Sequence, residues 1–267
     1  MFIKRKVMEK IGFIGMGNMA QAIAKGFIDK EIFAAKDIYA FALHFDKLTK
    51  NAERIGFTPV KTLKELVDKC DTVVMACKPY QIDDVLGEIG TLLAGKNLIS
   101  IALGWDFARY VAVLPDSVHI QFVMPNTPAQ VGEGVFLFEQ AHSLGGEDRM
   151  QVMEAFAQLG LVRELPSNLM GIGGAITGCG PAFIDLYIEA MGDAAVKYGV
   201  PRALAYELVS QTVAGTAKLQ LETGTHPGVL KDAVCSPAGS TIRGVTSLEK
   251  SGFRDACISA IDSIMNK

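Results

Sequence analysis

The sequence predicts an α/β protein, in which a doubly wound and mostly parallel sheet is followed by an all-helical C-terminal domain. From Lys10 to about Arg163, short apolar runs alternate with helical patterns, as they do in βαβ units. After Leu165 the segments become long and rich in Ala, Leu and Ile, and helix signals replace strand signals. We therefore predict two domains, residues 1–165 and residues 166–267.

The first domain is predicted to contain short buried strands separated by helices. The strand segments are almost wholly apolar, as a sheet that is covered on both faces requires. Apolar residues at helical spacing mark the segments between them. The strands are predicted over Ile11–Ile14, Ile38–Leu43, Thr72–Ala76 and Leu98–Ile101, and the helices over Met19–Asp29, Leu48–Ile55, Thr62–Lys69, Ile82–Ile89 and Phe107–Val113.

Proline and glycine mark the helices of the second domain. Pro181 suits the first turn of a helix and Gly199 lies just past its end, so Ala182–Tyr198 is predicted as one helix. The next helix begins at Pro201 and runs to about Glu222. Further helix boundaries are expected at Pro227, at Ser240 or Thr241, and at Gly252.

The predicted helix Ala182–Tyr198 is apolar over most of its circumference, which implies burial on more than one side. The helical domain is too small to supply all of that cover, so we expect a homodimer whose subunits interlock through it. The alternative is that the helix packs against the sheet domain of its own chain.

Composition excludes several classes of function. The 267 residues are 49% hydrophobic with a net charge of −3, and Lys4-Arg5-Lys6 is the longest basic run, so we expect no nucleic-acid partner. We expect no stretch to reach the roughly 20 apolar residues of a membrane span and no signal sequence at the N-terminus, which together favour the cytoplasm. The five cysteines and four histidines are scattered, so no metal is predicted.

The turn after the first strand is typical of a dinucleotide site. Gly15 and Gly17 stand where the chain bends and where backbone approaches a pyrophosphate, and Ala20 stands where helix meets strand. The turn follows an apolar strand and opens an Ala-rich helix, which is the context that this motif needs. We therefore predict a Rossmann-type N-terminal domain that binds a nicotinamide dinucleotide.

The end of the second strand favours NADPH over NADH. NAD-binding domains place an acidic residue there to hold the ribose 2′-hydroxyl. Here the segment Ala40–His44 has no acid, and His44 and Lys47 would attract a 2′-phosphate. NADH stays possible, and His44 as an ordinary surface residue is the alternative.

Beyond this turn, the chain resembles the pyrroline-5-carboxylate reductase family over nearly its full length. Five segments carry the resemblance in the same order along the chain. They are residues 11–20 (Ile-Gly-Phe-Ile-Gly-Met-Gly-Asn-Met-Ala), 76–79 (Ala-Cys-Lys-Pro), 124–129 (Met-Pro-Asn-Thr-Pro-Ala), 177–183 (Thr-Gly-Cys-Gly-Pro-Ala-Phe), and 232–242 followed by 248–254 (Leu-Glu-Lys-Ser-Gly-Phe-Arg). Two departures are small-for-small changes: family members usually show Ser-Gly-Ser at residues 177–179 and Ser-Pro-Gly-Gly at residues 236–239.

The resemblance implies fold, activity and assembly. It implies a Rossmann domain, a helical domain that builds an interlocked dimer, and dimers that often form rings. The implied reaction is reduction of 1-pyrroline-5-carboxylate to L-proline, the last step of proline biosynthesis. The residues then expected to contact the cofactor are Gly15, Gly17, Asn18, Met19, Ala42, His44, Ala76, Lys78, Pro79 and Asn126.

The small-residue loop Ser236–Thr241 is the predicted substrate site. Backbone amides at a helix N-terminus suit a substrate carboxylate, and the resemblance places the substrate here. We expect Ser236 and Thr241 to act in catalysis, with Thr241 donating to the imine nitrogen. The alternative is an ordinary helix cap by Ser240 or Thr241. The predicted substrate contacts are Ser236, Ala238, Gly239, Ser240 and Thr241.

Two proline turns are predicted beside the cofactor. Lys78-Pro79 follows a strand at the carboxyl edge of the sheet, where dinucleotides bind, and Asn126 follows the apolar run Ile120–Met124 on the same edge. Turns shaped merely by proline are the alternative. Rival functions are the reduction of another small cyclic imine, a 3-hydroxyacid dehydrogenase, and a non-catalytic NAD(P)-sensing dimer.

Overall fold

The computed structural model describes residues 8–266, so the predicted basic run Lys4-Arg5-Lys6 lies outside the described residues. The chain divides into two compact units, one that runs to Gly178 and one that begins at Cys179. The domain boundary predicted between residues 165 and 166 stays a prediction.

The first unit is built on one eight-stranded sheet. Its strands are β1 (Ile11–Ile14), β2 (Ile38–Phe41), β3 (Thr58–Pro59), β4 (Thr72–Met75), β5 (Asn97–Ser100), β6 (His119–Met124), β7 (Gly134–His142) and β8 (Gly160–Leu165). They lie in the order β3-β2-β1-β4-β5-β6-β7-β8. Strands β1 to β6 are parallel, while β7 is antiparallel to β6 and parallel to β8. The strand order therefore reverses between β1 and β4, and ligands of such sheets bind at that point.

Helices flank the sheet of the first unit. They are α1 (Asn18–Asp29), α2 (Phe45–Ile55), α3 (Leu63–Lys69), α4 (Ile82–Ile89), α5 (Phe107–Val111), α6 (Gly146–Ala157) and α7 (Ser167–Gly174). Side chains of β1 alternate between two buried clusters, with Phe13 in one and Ile14 in the other. Phe156 of α6 packs edge-on against Phe27 and Phe136, with ring centroids 5.4 and 5.0 Å apart. Each such buried ring stabilises the fold by about 1.5–3 kcal/mol.

The predicted fold class is confirmed, with corrections at several ends. The strand predicted over Ile38–Leu43 stops at Phe41, because the chain leaves the sheet to begin α2 at Phe45 rather than at Leu48. Thr62 is the cap of α3, and its side chain accepts a hydrogen bond from the amide of Glu65 (3.1 Å). Five strands and helices were not delimited from the sequence: β3, β7, α6, β8 and α7.

The second unit is wholly helical over the described residues. It contains α8 (Gly180–Lys197), α9 (Arg202–Thr223), α10 (Pro227–Ala233), α11 (Ser240–Lys250) and α12 (Phe253–Met265), and a π-helical turn, Ala175–Cys179, precedes α8. Helices α8 and α9 pack closely at Gly192, where a Cβ would lie 2.6 Å from the Tyr206 ring. α8 begins two residues before its predicted start, and α9 begins one residue after Pro201.

Many apolar side chains of the helical unit are exposed in the single chain. Leu186 of α8 is 66% exposed and Leu221 of α9 is 73% exposed. The stretch Ser167–Lys197 meets the length and composition of a membrane span, and 17% of its most apolar window is buried. The expectation that no stretch reaches this length is therefore wrong, because the glycines between residues 171 and 180, which interrupt the apolar run in sequence, lie within continuous helical turns.

Candidate active site

The glycine turn between β1 and α1 is held by the strands on both sides. The amide of Gly15 donates to the carbonyl of Phe41 at the end of β2 (2.8 Å), and the amide of Ala76 after β4 donates to the carbonyl of Ile14 (2.9 Å). Gly15 has a φ of +94°, and a Cβ there would lie 2.6 Å from the Cys77 nitrogen. Only glycine fits this position without displacing backbone.

Gly17 shows that the turn fits a dinucleotide. It caps α1 in extended conformation, and a Cβ built on it meets nothing within 4 Å. Gly17 also lines an open cavity. The first amides of α1, those of Asn18 and Met19, follow it directly and have no carbonyl partner within the helix. Free amides and the positive end of the helix dipole are what a pyrophosphate requires.

A cavity of about 440 Å³ extends from this turn along the carboxyl edge of the sheet. It is lined by six of the ten predicted cofactor residues, namely Gly15, Gly17, Ala42, His44, Ala76 and Lys78. Asn18, Met19 and Pro79 do not line the cavity, and the side chain of Met19 packs against the core, so their predicted contacts with the cofactor stay predictions. Lining residues that sequence reasoning missed include Asn51, Tyr80, Gln81 and Asp84; of these, Tyr80 and Gln81 directly follow the predicted turn Lys78-Pro79.

The end of the cavity beside β2 carries the residues that were predicted to bind the 2′-phosphate of NADPH. His44 caps α2 without a side-chain hydrogen bond, and both His44 and Lys47 line the cavity and are exposed. Ala42 and Leu43 occupy the places where a carboxylate would repel the phosphate. At this end of the cavity the lining residues include Lys47 and His44 but no carboxylate, since Asp46, which stands between them in the chain, is not one of the lining residues.

The turn after β4 forms the opposite wall. The Lys78 amide donates to the Gln81 side chain (3.0 Å), and the Gln81 amide donates to the Lys78 carbonyl (2.9 Å), which together hold a short helical turn, Pro79–Gln81. Cys77 also lines the cavity. Burial raises the pKa of the Cys77 thiol to about 11, so this thiol is neutral at physiological pH and is not a nucleophile.

The side chain of Asn126 forms two hydrogen bonds within the first unit. Its Nδ2 donates to the Thr177 carbonyl (3.0 Å) and its Oδ1 accepts from the Val135 amide (2.8 Å), while the residue is 7% exposed. The side chain thereby joins β7 to the segment after α7. Its predicted contact with the cofactor stays a prediction.

The predicted substrate loop lies in the helical unit, between α10 and α11. Gly239 is the N-cap of α11, and no side chain caps this helix, so the alternative of a cap by Ser240 or Thr241 is wrong. Within residues 8–266, the hydroxyls of Ser236, Ser240 and Thr241 have no hydrogen-bond partner, and all three residues are exposed. Free hydroxyls beside free helix amides form a group of donors suited to a carboxylate.

Comparison with known proteins decides the family. Residues 167–267 match the family model for pyrroline-5-carboxylate reductase dimerisation, and residues 10–104 match that for coenzyme F420-dependent NADP oxidoreductases. The chain is 38% identical to a pyrroline-5-carboxylate reductase of Treponema pallidum, covering 96% of this chain and 98% of that protein. It belongs to the pyrroline-5-carboxylate reductase family.

Two further members of the family are similar to this chain over nearly its full length. The reductase of Escherichia coli is 37% identical, with 97% of each chain covered. The crystal structure of Plasmodium falciparum pyrroline carboxylate reductase with NADP bound superposes with a TM-score of 0.87, at 33% identity and with 96% of each chain covered. The predictions of family, of an NAD(P)H-dependent oxidoreductase and of a homo-oligomer are therefore confirmed.

One departure from the pyrroline-5-carboxylate reductase pattern has a physical cost. Ser236–Gly239 forms a turn in which the Gly239 amide donates to the Ser236 carbonyl (3.0 Å), with Pro237 second and Ala238 third. Ala238 has a φ of +59°, the left-handed region, where the family usually has glycine. A Cβ on Gly239 would lie 2.4 Å from the Ser236 hydroxyl and 3.0 Å from its carbonyl oxygen, so any side chain at the next position would have to displace Ser236.

We expect Ala238→Gly to stabilise the protein by about 0.5–1 kcal/mol. Glycine removes the strain of a left-handed alanine, and the free energy gained in this way exceeds the free energy lost because glycine raises the entropy of the unfolded chain. Urea unfolding at fixed protein concentration measures the change. The matched control is Ala256→Gly inside α12, which should destabilise by about 0.5–1 kcal/mol. Equal destabilisation by both variants would refute the strain at Ala238.

Proposed function

We propose that the chain reduces 1-pyrroline-5-carboxylate to L-proline by hydride transfer from NADPH, as the last step of proline biosynthesis. The observation that carries the proposal is the pairing of two sites in one chain. One is the glycine turn at the strand reversal, and the other is the loop Ser236–Thr241 with its free donors. A non-catalytic sensor would need the first site alone.

The cofactor would rest on residues of the first unit. The amides of Asn18 and Met19 would hold the pyrophosphate, and His44 with Lys47 would hold the 2′-phosphate. Lys78 and the turn that follows it would flank the cofactor on the side of β4. When bound, the nicotinamide supplies the hydride.

The substrate would be held by residues of the second unit. The amides that open α11, beginning at Ser240, would bind the carboxylate, since they have no partner within the helix. The Thr241 hydroxyl would donate to the ring nitrogen as the C=N bond accepts the hydride, and an imine already protonated in solution needs no stronger acid. Ser236 would complete the donor set. Positioning then supplies most of the rate.

The residues of α8 do not suit the rival reaction, that of a 3-hydroxyacid dehydrogenase. It needs a lysine on the helix that follows the sheet domain to take up the substrate hydroxyl proton. Lys197, the last residue of α8, is the one lysine of that helix. We therefore place the chain with imine reductases.

The assembly that we propose is a homodimer through the helical domain, residues 166–267, with rings of dimers as a further level. Pairing would cover the exposed apolar residues of α8 and α9, including the window that resembles a membrane span. On this proposal the enzyme works in the cytoplasm, bound neither to membrane nor to nucleic acid.

Absorbance of NADPH tests the activity directly. We expect consumption of NADPH by the purified protein that depends on pyrroline-5-carboxylate and saturates with it. Acyclic imines with NADPH, and 3-hydroxyacids with NADP⁺, serve as controls for the two rival substrate classes. No turnover with either NADPH or NADH would refute the proposed reaction.

We expect Lys47→Ala to raise the Kd for NADPH about 5- to 10-fold and to leave the Kd for NADH unchanged, because only NADPH carries the 2′-phosphate. Lys50→Ala is the matched control, since Lys50 lies on the same helix, is exposed and does not line the cavity. Calorimetric titration gives both constants. An equal loss for both cofactors would remove Lys47 from phosphate recognition.

A further inference from the structure

Trp105 is the one tryptophan of the chain, and it is 1% exposed in a loop between β5 and α5. Its neighbour Leu103 is 70% exposed. Between them Gly104 takes a φ of +79°, a left-handed conformation that reverses the chain and lets the next side chain enter the core. A large ring with a polar N–H is seldom buried without a partner for that N–H.

The partner of the indole is the turn that walls the cofactor cavity. The Trp105 Nε1 donates to the Pro79 carbonyl (3.3 Å), across 26 residues of sequence. The same carbonyl accepts the amide of Ile82, which closes the short helical turn. Two residues of this turn, Tyr80 and Gln81, line the cavity, as does Lys78 before it.

The indole is itself held by several contacts. The Arg109 guanidinium stacks over the Trp105 ring, 3.9 Å from its centroid, and the Tyr110 ring lies 4.9 Å away. The Tyr110 hydroxyl donates to the Ser100 hydroxyl (3.1 Å), and Ser100 in turn donates to the Trp105 carbonyl (3.4 Å). Burial raises the pKa of Tyr110, so its hydroxyl remains a donor.

We propose that Trp105 is a positioning residue for the cofactor. Its indole N–H holds the Pro79 carbonyl, and through it the Lys78–Gln81 wall, in the conformation that receives the dinucleotide. A turn that is fixed before binding loses less conformational entropy on binding, and cofactor affinity is correspondingly higher. The inference rests on the cofactor part of the proposed function and not on the identity of the imine.

Trp105→Phe removes the N–H while keeping an aromatic ring. We expect the Kd for NADPH to rise about 3- to 10-fold, the scale of one neutral hydrogen bond, with kcat at saturating NADPH unchanged. Tyr110→Phe is the matched control, since it breaks a bond in the same cluster that does not reach Pro79. It should lower thermal stability and leave the Kd unchanged.

Isothermal calorimetry measures these constants without any imine, so a chain that binds NADPH but reduces no pyrroline refutes the proposed reaction and leaves this test intact. An unchanged Kd in Trp105→Phe would overturn the proposal, and so would equal weakening by both variants.

A second measurement needs no variant. Because Trp105 is the single tryptophan, the wavelength of maximum emission reports on the surroundings of this one ring. If the turn is fixed before binding, the ring is already buried in the free protein. We therefore expect the short-wavelength emission maximum of a buried indole without cofactor, and the same wavelength when NADP⁺ saturates the site. A shift of the maximum that follows NADP⁺ binding would show that the turn rearranges, and would overturn the preformed contact.

Discussion

Gly15→Ala is expected to lower the free energy of unfolding by about 2–4 kcal/mol and to weaken NADPH binding at least about 100-fold. The added Cβ would lie 2.6 Å from the Cys77 nitrogen and 2.7 Å from the Ala76 carbonyl carbon and oxygen. These are backbone atoms at the end of a central strand, so they cannot move aside as a flexible side chain would. The φ of +94° adds strain for any residue with a Cβ.

Gly17→Ala separates binding from folding. Its Cβ meets nothing within 4 Å and its φ of −75° suits alanine, so the variant should fold with nearly unchanged stability. The methyl group would project into the space intended for the pyrophosphate, and the Kd for NADPH should still rise. Urea unfolding and calorimetry measure the two effects. Unchanged NADPH binding in both variants would contradict the assignment of this turn to the cofactor.

Thr241→Val is expected to lower kcat about 5- to 150-fold, which is about 1–3 kcal/mol, the scale of one placed hydrogen bond. Among the described residues the Thr241 hydroxyl has no internal partner and does not cap α11, so removing it should leave stability almost unchanged. The KM for NADPH should also be unaffected, because the predicted contacts of Thr241 are with the imine.

Thr241→Ser, which keeps the hydroxyl, is the matched control and should retain most of the rate. Steady-state kinetics with pyrroline-5-carboxylate decide the question. Wild-type kcat in Thr241→Val would remove this hydroxyl from the mechanism.

Local sequence signals predicted the strand and the helix on either side of the glycine turn. An apolar strand, two glycines and an Ala-rich helix are all within residues 11–29, and the structure shows the expected strand and helix there. By contrast, β7 and β8 were not delimited. Their position depends on pairing with β6 and with each other, and β7 carries the polar residues Glu139 and Gln140, which blur an apolar run. Strand β3 has two residues and shows no periodicity.

In the candidate site, too, features within a short segment could be predicted, whereas contacts between distant residues could not. The segments Gly15–Met19 and Lys78-Pro79 could be predicted because the signals of each lie within a few consecutive residues. The contact between Trp105 and Pro79 joins residues that are 26 apart, and no spacing rule predicts it. Likewise, Gly239, Ser240 and Thr241 are all acceptable caps by residue type, and only the backbone shows that Gly239 is the one used.

The most direct test of the proposed reaction follows the hydride itself. The purified protein is given pyrroline-5-carboxylate and NADPH deuterated at the transferable position of the nicotinamide, and the product is examined by mass spectrometry and NMR. We predict L-proline with one deuterium on the ring carbon that was doubly bonded to nitrogen. Absence of proline, or proline without deuterium at that carbon, would contradict hydride transfer from the cofactor to this imine.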